Sequence, residues 1–403
     1  LDANTTGYNN AAVGKDALTD NTTGHSNVGL GTSALANNTS AANNSAVGHG
    51  AMFDNTTGTN NAALGYLALA NNTTANNNTA IGASSLLANT TGSDNVSVGQ
   101  GSLQSNTTGA SNTAIGRDSM VANTTASHNV AVGKESITTN TTGEQNTALG
   151  NFSLALNTTA SSNTAIGYAA LQRNTTGDFN TALGYAALDA CTTGTTNVGI
   201  GTNGLGSVTT GSQNVGVGLN AGGSITTGSN HLLLGYNSGN SGSPGGAITT
   251  GNNEVTIGNG DHSKINVQVS LTVASDERDK TDFTDLDVGL DFVNQLAPVT
   301  YKWDKRARYV DWDANPDTDL NSITHDGTHK ESWLDVGFKA QSVEAVEASF
   351  GYNLSNETNL TTSLSQDGKQ YGLQYEKFVP ILVKAVQELS AKVEELESKL
   401  NGE

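Results

Sequence analysis

Bulky side chains are scarce in this sequence: aromatics make up 5% of 403 residues, against 47 Gly. A chain of this length can hold two domains, but so few large residues cannot fill the core of one ordinary globule. A single cysteine, Cys191, excludes an internal disulfide framework. It stands where neighbouring repeats have Asn, and without a second thiol it reads as drift rather than as a reactive group. Cations are also few, with 18 Lys+Arg against 37 Asp+Glu and a net charge of -19. Residues 1–258 hold 4 Lys+Arg against 11 Asp+Glu and residues 259–403 hold 14 against 26, so both parts are acidic. Phosphate surfaces are bound through Lys and Arg contacts that release counterions, which argues against nucleic acid and anionic membrane as partners. No apolar run approaches the ~20 residues of a membrane span, so no membrane insertion is expected. No stretch reads as a signal peptide; the start at Leu1 leaves a leader or further fibre upstream as an expectation.

Asn, Thr, Gly and Ala are abundant, and they recur with a fixed period. The tetrad Asn-Thr-Thr-Gly/Ala or a variant begins at Asn4, Asn21, Asn38 and so on through Asn174, Cys191, Val208 and Ile225, each step being 17 residues. A last copy begins at Ile248 after a step of 23, and the six extra residues fall around 240–246, which reads as an extruded loop. The consensus is N-T-T-G-x-x-N-x-A-h-G-x-x-A-L-x-x, with h aliphatic from Val13 through Ile257. A second apolar column runs from Leu18 to Leu205 and lapses at Gly222, Gly239 and His262.

Seventeen residues with two short apolar stretches are too few for a helical repeat and suit one coil of a β-solenoid with two strands. At about 4.7–4.9 Å per coil, the stack is a rod of roughly 70 Å. One coil buries too little apolar surface to offset its ordering entropy, so neighbouring coils must supply the rest. The column before h is small (Ala12, Gly29, Ala46). Strand side chains alternate, so this column is expected to face away from an h core and to receive a partner chain. The Asn columns headed by Asn4 and Asn10 are expected to stack as hydrogen-bonding ladders.

Sharper readings of the repeat fare less well. The Asn-Thr-Thr sites are formal glycosylation acceptors, but turn geometry accounts for their regularity. Adjacent Thr residues in a strand would point to opposite faces, unlike the flat arrays of ice-binding solenoids. The Gly-Gly-x-Gly-x-Asp pattern of calcium-binding coils is absent, and no metal or other cofactor is expected. His325 and His329 lie in a polar loop without a third ligand and read as solvated. The motif N-x-A-h-G-x-x-A-L resembles the head repeats of trimeric autotransporter adhesins, parallel β-rolls packed three around an axis. That family has a slightly shorter period and a barrel anchor, which residues 259–403 do not resemble.

After Gly260 the period stops. Residues 264–273 alternate as one or two strands would, making 259–274 a neck. Trp303, Trp312 and Trp333 then mark a different domain over 275–403. Four blocks carry a resemblance: Ser275-Asp276-Glu277-Arg278-Asp279-Lys280, Leu296–Trp303, Gly337–Glu344 and Tyr375–Pro380. They are similar to the self-cleaving intramolecular chaperone of the endosialidase type found in phage tail proteins. The resemblance implies trimerisation, assembly of the fibre upstream, and Ser-Lys autoproteolysis. Ser275 would attack the Ala274–Ser275 bond and Lys280 would serve as base, with Asp276, Arg278 and Gly337 supporting the motif. A lysine can do so only when burial shields it from water. At one place the chain departs from that pattern: phage members often have His where it has Asp335.

From about 375 to 402 the sequence predicts a helix with apolar residues at Val379, Leu382, Val386, Leu389, Val393, Leu396 and Leu400, a heptad seam. The fold expected is therefore mainly β: a trimeric parallel β-solenoid over 1–258, then a smaller α+β chaperone domain ending in a coiled-coil helix. The function implied is a phage tail-fibre-like homotrimer of the virion or an extracellular surface, a shaft and adhesin with a glycan or protein receptor. The alternative is a bacterial surface adhesin. A glycan-degrading spike lacks the paired carboxylates that hydrolysis needs.

Overall fold

The computed structural model describes all residues except 263, 269–272, 312–314, 316–317 and 403. It divides into two compact units, Leu1–Asn240 with Thr249–Ile257, and Ser241–Ile248 with Gly258–Glu403.

The first unit is a parallel β-solenoid. Fifteen three-residue strands, β1 (Ala11–Val13) to β15 (Val255–Ile257), form one sheet in sequence order. Each pairs in register with its copy one period on, as Val13 with Leu30, and across the long step Leu234 with Ile257. The Gly after each strand turns the corner. Gly14 has φ +130°, and a Cβ there would lie 2.6 Å from the carbonyl of Gly31 below, so no side chain fits.

The second strand expected in each coil does not form. The Ala-Leu stretch is a turn in which Leu18, Leu35 and Met52 have φ of 52°, 53° and 49°. That conformation costs a non-glycine residue about 1–2 kcal/mol, and full burial of a large aliphatic side chain returns about 1.5–3 kcal/mol. Coils still bond to each other here, with the Leu18 N–H donating to the Ala34 carbonyl at 3.0 Å.

Inside and outside are also reversed from expectation. The small column is the interior: Ala46, Ala80, Ala114, Ala148 and Ala182 are fully buried. The h column faces outward, with Val13 63%, Leu64 50% and Ile115 38% exposed. The reason is thickness. The Leu column already fills the roll, and a Cβ on Gly216 would lie 2.7 Å from Leu205 Cγ. Where that column lapses at Gly222, Leu233 fills the space from the strand side, its Cδ1 2.7 Å from the position of a Gly222 Cβ.

Two Asn ladders form as expected, and their side chains are buried inside the coil. From Asn21 to Asn174 each Nδ2 donates to the Oδ1 of the preceding rung, as Asn106 to Asn89 at 2.8 Å, and to the carbonyl three residues on. In the second, Oδ1 accepts from the backbone N–H one period later, as Asn95 does from Asn112 at 3.0 Å. First-tetrad threonines add a third row, Thr107 Oγ1 donating to the Thr124 carbonyl at 3.0 Å. Because Asn21 through Asn174 are fully buried, their amides are closed to glycan attachment in the folded coil.

The second unit has an ordinary core. It contains α1 (Leu290–Gln295), β16 (Val299–Tyr301), β17 (Asp335–Gly337), α2 (Ala340–Ser349), β18 (Thr362–Leu364), β19 (Tyr371–Leu373) and α3 (Phe378–Asn401). Val288, Phe292, Val343, Phe378 and Ile381 pack together, flanked by Phe338, Phe350 and Leu373. The strands form two antiparallel pairs, β16 with β17 and β18 with β19. Pro380 sits in the first turn of α3, where its missing N–H breaks no bond. In the neck, residues 264–268 form no strand, and 269–272 lie outside the described residues.

Candidate functional site

Residues 275–280 make a short exposed turn. Asp276 caps a 3₁₀ turn over Glu277–Asp279 by accepting from the Arg278 N–H at 2.9 Å. The Arg278 guanidinium clasps the same carboxylate at 3.0 and 2.6 Å. This holds Asp276 below, and Arg278 above, its ordinary pKa. The turn brings Lys280 back over Ser275, with Nζ 2.5 Å from the Ser275 hydroxyl and 3.5 Å from its carbonyl oxygen. The nucleophile and base expected from sequence are thus in hydrogen-bond contact. Both are exposed in the single chain.

Asp335 and Gly337 lie in a separate structure, the β16–β17 ladder. Asp335 pairs with Tyr301 in register, and its Oδ2 accepts from Trp303 Nε1 at 3.0 Å. Burial, reinforced by the Asp335 charge, raises the Tyr301 phenol above its usual pKa. Among the described residues no hydrogen bond joins Asp335 to Ser275 or Lys280. A Cβ on Gly337 would lie 2.3 Å from the Tyr375 hydroxyl, which accepts from the Phe338 N–H at 3.3 Å. Gly337 therefore serves packing of the Tyr375 ring. His325 and His329 both pack edge-on against Tyr309, at 6.1 and 4.6 Å between ring centres.

Sequence reasoning missed Glu347. It is fully buried on α2 and binds one segment with both oxygens. Oε1 accepts from the Thr361 N–H and hydroxyl at 2.7 and 2.6 Å and from the Thr362 N–H at 3.2 Å. Oε2 accepts from the Thr362 hydroxyl at 2.6 Å and the Leu360 N–H at 3.2 Å. Burial pushes the Glu347 carboxyl up, but these donors outweigh it and leave it below its ordinary value. The available signal was position: Glu347 falls one turn after Val343 on the stripe that α2 buries.

Cys191 is buried, and burial pushes its thiol up to about 11. It ends the first Asn ladder and leaves Asn174 Oδ1 buried without a partner. No thiolate chemistry fits such a place.

Residues 275–352, within the second unit, match the family described as chaperone of endosialidase. No curated protein and no solved structure matches the chain.

Proposed function

We propose that this chain is a trimeric, phage tail-fibre-like structural protein whose solenoid is a rigid shaft and host-surface adhesin, and whose C-terminal domain is its trimerising chaperone. The observation that carries the reading is the outward aliphatic face. The h column places one Val, Leu or Ile per coil on the outside of the sheet, beside a column in which Val28, Val96, Val130 and Val198 are interspersed with Thr79, Thr113, Thr147 and Thr181. A continuous apolar stripe of this kind needs a cover, and a parallel copy in register is self-complementary to it. The seam of α3 supports the same reading. Val379, Leu382, Val386, Leu389, Val393, Leu396 and Leu400 are 45–87% exposed, while Phe378, Ile381 and Ala385 face the domain core. An unpartnered heptad seam is suited to a coiled coil.

Self-cleavage follows from the same assembly. A lysine takes a serine proton only when shielded from water, and one chain leaves Lys280 open. A neighbouring copy over residues 275–280 would supply the shielding, making scission at Ala274–Ser275 a consequence of correct trimerisation. Native and denatured mass spectrometry of the expressed chain test both parts. The reading expects three copies in the native state and a break before Ser275 that Ser275→Ala abolishes. A native monomer would overturn the trimer, and an intact denatured chain within a native trimer would overturn scission alone.

A further inference from the structure

The insertion that breaks the period has a place of its own. Residues 241–248 leave the solenoid unit and fold with Gly258–Glu403. Asp367, in the turn between β18 and β19, accepts from the Ala247 N–H at 3.2 Å. It stands so near Gly246, where φ is +77°, that a Cβ there would lie 2.5 Å from Oδ1. Gln370 Nε2 donates to the Ser243 carbonyl at 3.1 Å. Arg306 braces this hairpin by donating to the Lys369 carbonyl at 2.8 Å.

A second group of contacts lies just after the last coil. Lys305 Nζ donates to the His262 carbonyl at 2.7 Å. Arg308 donates to the Asp261 carbonyl at 3.0 Å and pairs with its carboxylate at 3.3 Å. Its other arm is fixed by Glu331 at 2.6 Å. In each of these contacts to Ser243, Ala247, Asp261 and His262, one partner precedes the Ala274–Ser275 bond and the other follows it.

We infer that residues 241–248 and 261–262 form a docking seat for residues 305–308 and 365–370, which keeps the C-terminal domain on the fibre after the backbone between 274 and 275 is cut. The setting rests on the proposed scission point, but the seat does not depend on the chain cutting itself. Hydrolysis of one peptide bond removes the tether and none of these contacts. Scission and release are then separate steps, and the six-residue insertion, which has no counterpart in the other coils, is the part of the fibre that the domain grips.

The test uses the full chain carrying Ser275→Ala with a specific protease site inserted after Val273, so that the cut is independent of self-processing. After digestion, size-exclusion chromatography should show the C-terminal fragment co-eluting with the solenoid fragment. The pair Arg308→Ala/Gln370→Ala should shift most of the fragment to its own later peak, and Asp261→Ala, which leaves the domain untouched, should weaken retention less. Circular dichroism before digestion confirms that each variant is folded. Separate elution from the parent chain, or retention undiminished in both variants, would overturn the seat.

Discussion

The shaft and the C-terminal domain bury polar groups in opposite ways. In the shaft, buried amides are copies of one another, and each is partnered by the rung before and the rung after. A substitution therefore disturbs only its neighbours: Cys191 orphans one oxygen of Asn174, and the coils continue. In the C-terminal domain, Glu347 is a single carboxylate that collects five donors from residues 360–362. Nothing nearby can replace it. Repetition spreads the consequence of a lost group, whereas a unique cluster concentrates it.

The largest effect should follow from Glu347→Ala. It leaves buried hydroxyls and N–H groups of Thr361 and Thr362 without acceptors, at about 1–3 kcal/mol for each group left unsatisfied. The unfolding transition of the C-terminal domain should fall steeply in calorimetry while that of the shaft stays in place; a shared fall would erase the contrast between the regions. Ala114→Leu should come next, overpacking the filled roll at a cost of about 1–3 kcal/mol. Its neighbour Ile115→Leu, on the outer face, should leave thermal unfolding of the coil unchanged. Equal effects at the two positions would break the inside–outside assignment.

Acid should separate the regions too. The folded pKa of Glu347 lies below its ordinary value, so its contribution is present above the unfolded carboxylate pKa of about 4.3 and is lost as pH falls through the folded value. The stability gap between the parent chain and Glu347→Gln, read by near-ultraviolet dichroism, should narrow with acidification. A gap that is constant with pH would contradict the sign. The smallest effect is expected of Cys191→Asn: the new amide can satisfy Asn174 but leaves its own oxygen facing Val208, so melting should barely shift.

Much of this was legible in the sequence. The 17-residue period, the two Asn ladders, the lapse near Gly222 and the pairing of Ser275 with Lys280 all follow from spacing or from the blocks around Ser275. The facing of the strand was not. A small residue between two larger ones fits a thin interior as well as a tight contact between chains, and only the thickness set by the Leu column decides between them. The left-handed turn at Leu18 and its equivalents was hidden for a related reason, since leucine has no intrinsic preference for it and takes it only because burial offsets the strain. Glu347 could be seen as a charge on an apolar stripe, but its donors lie 13 to 15 residues away in a segment with no sequence mark.

The h column lies outside the coil, and in the proposed trimer it joins copies of the chain. Native mass spectrometry of Val98→Asp/Ile115→Asp/Val132→Asp, with circular dichroism of the same sample, tests this most directly. The prediction is that the parent chain forms a trimer and the variant a folded single chain. A variant that unfolds would place these side chains in the core, and one that still assembles as the parent does would remove them from the interface.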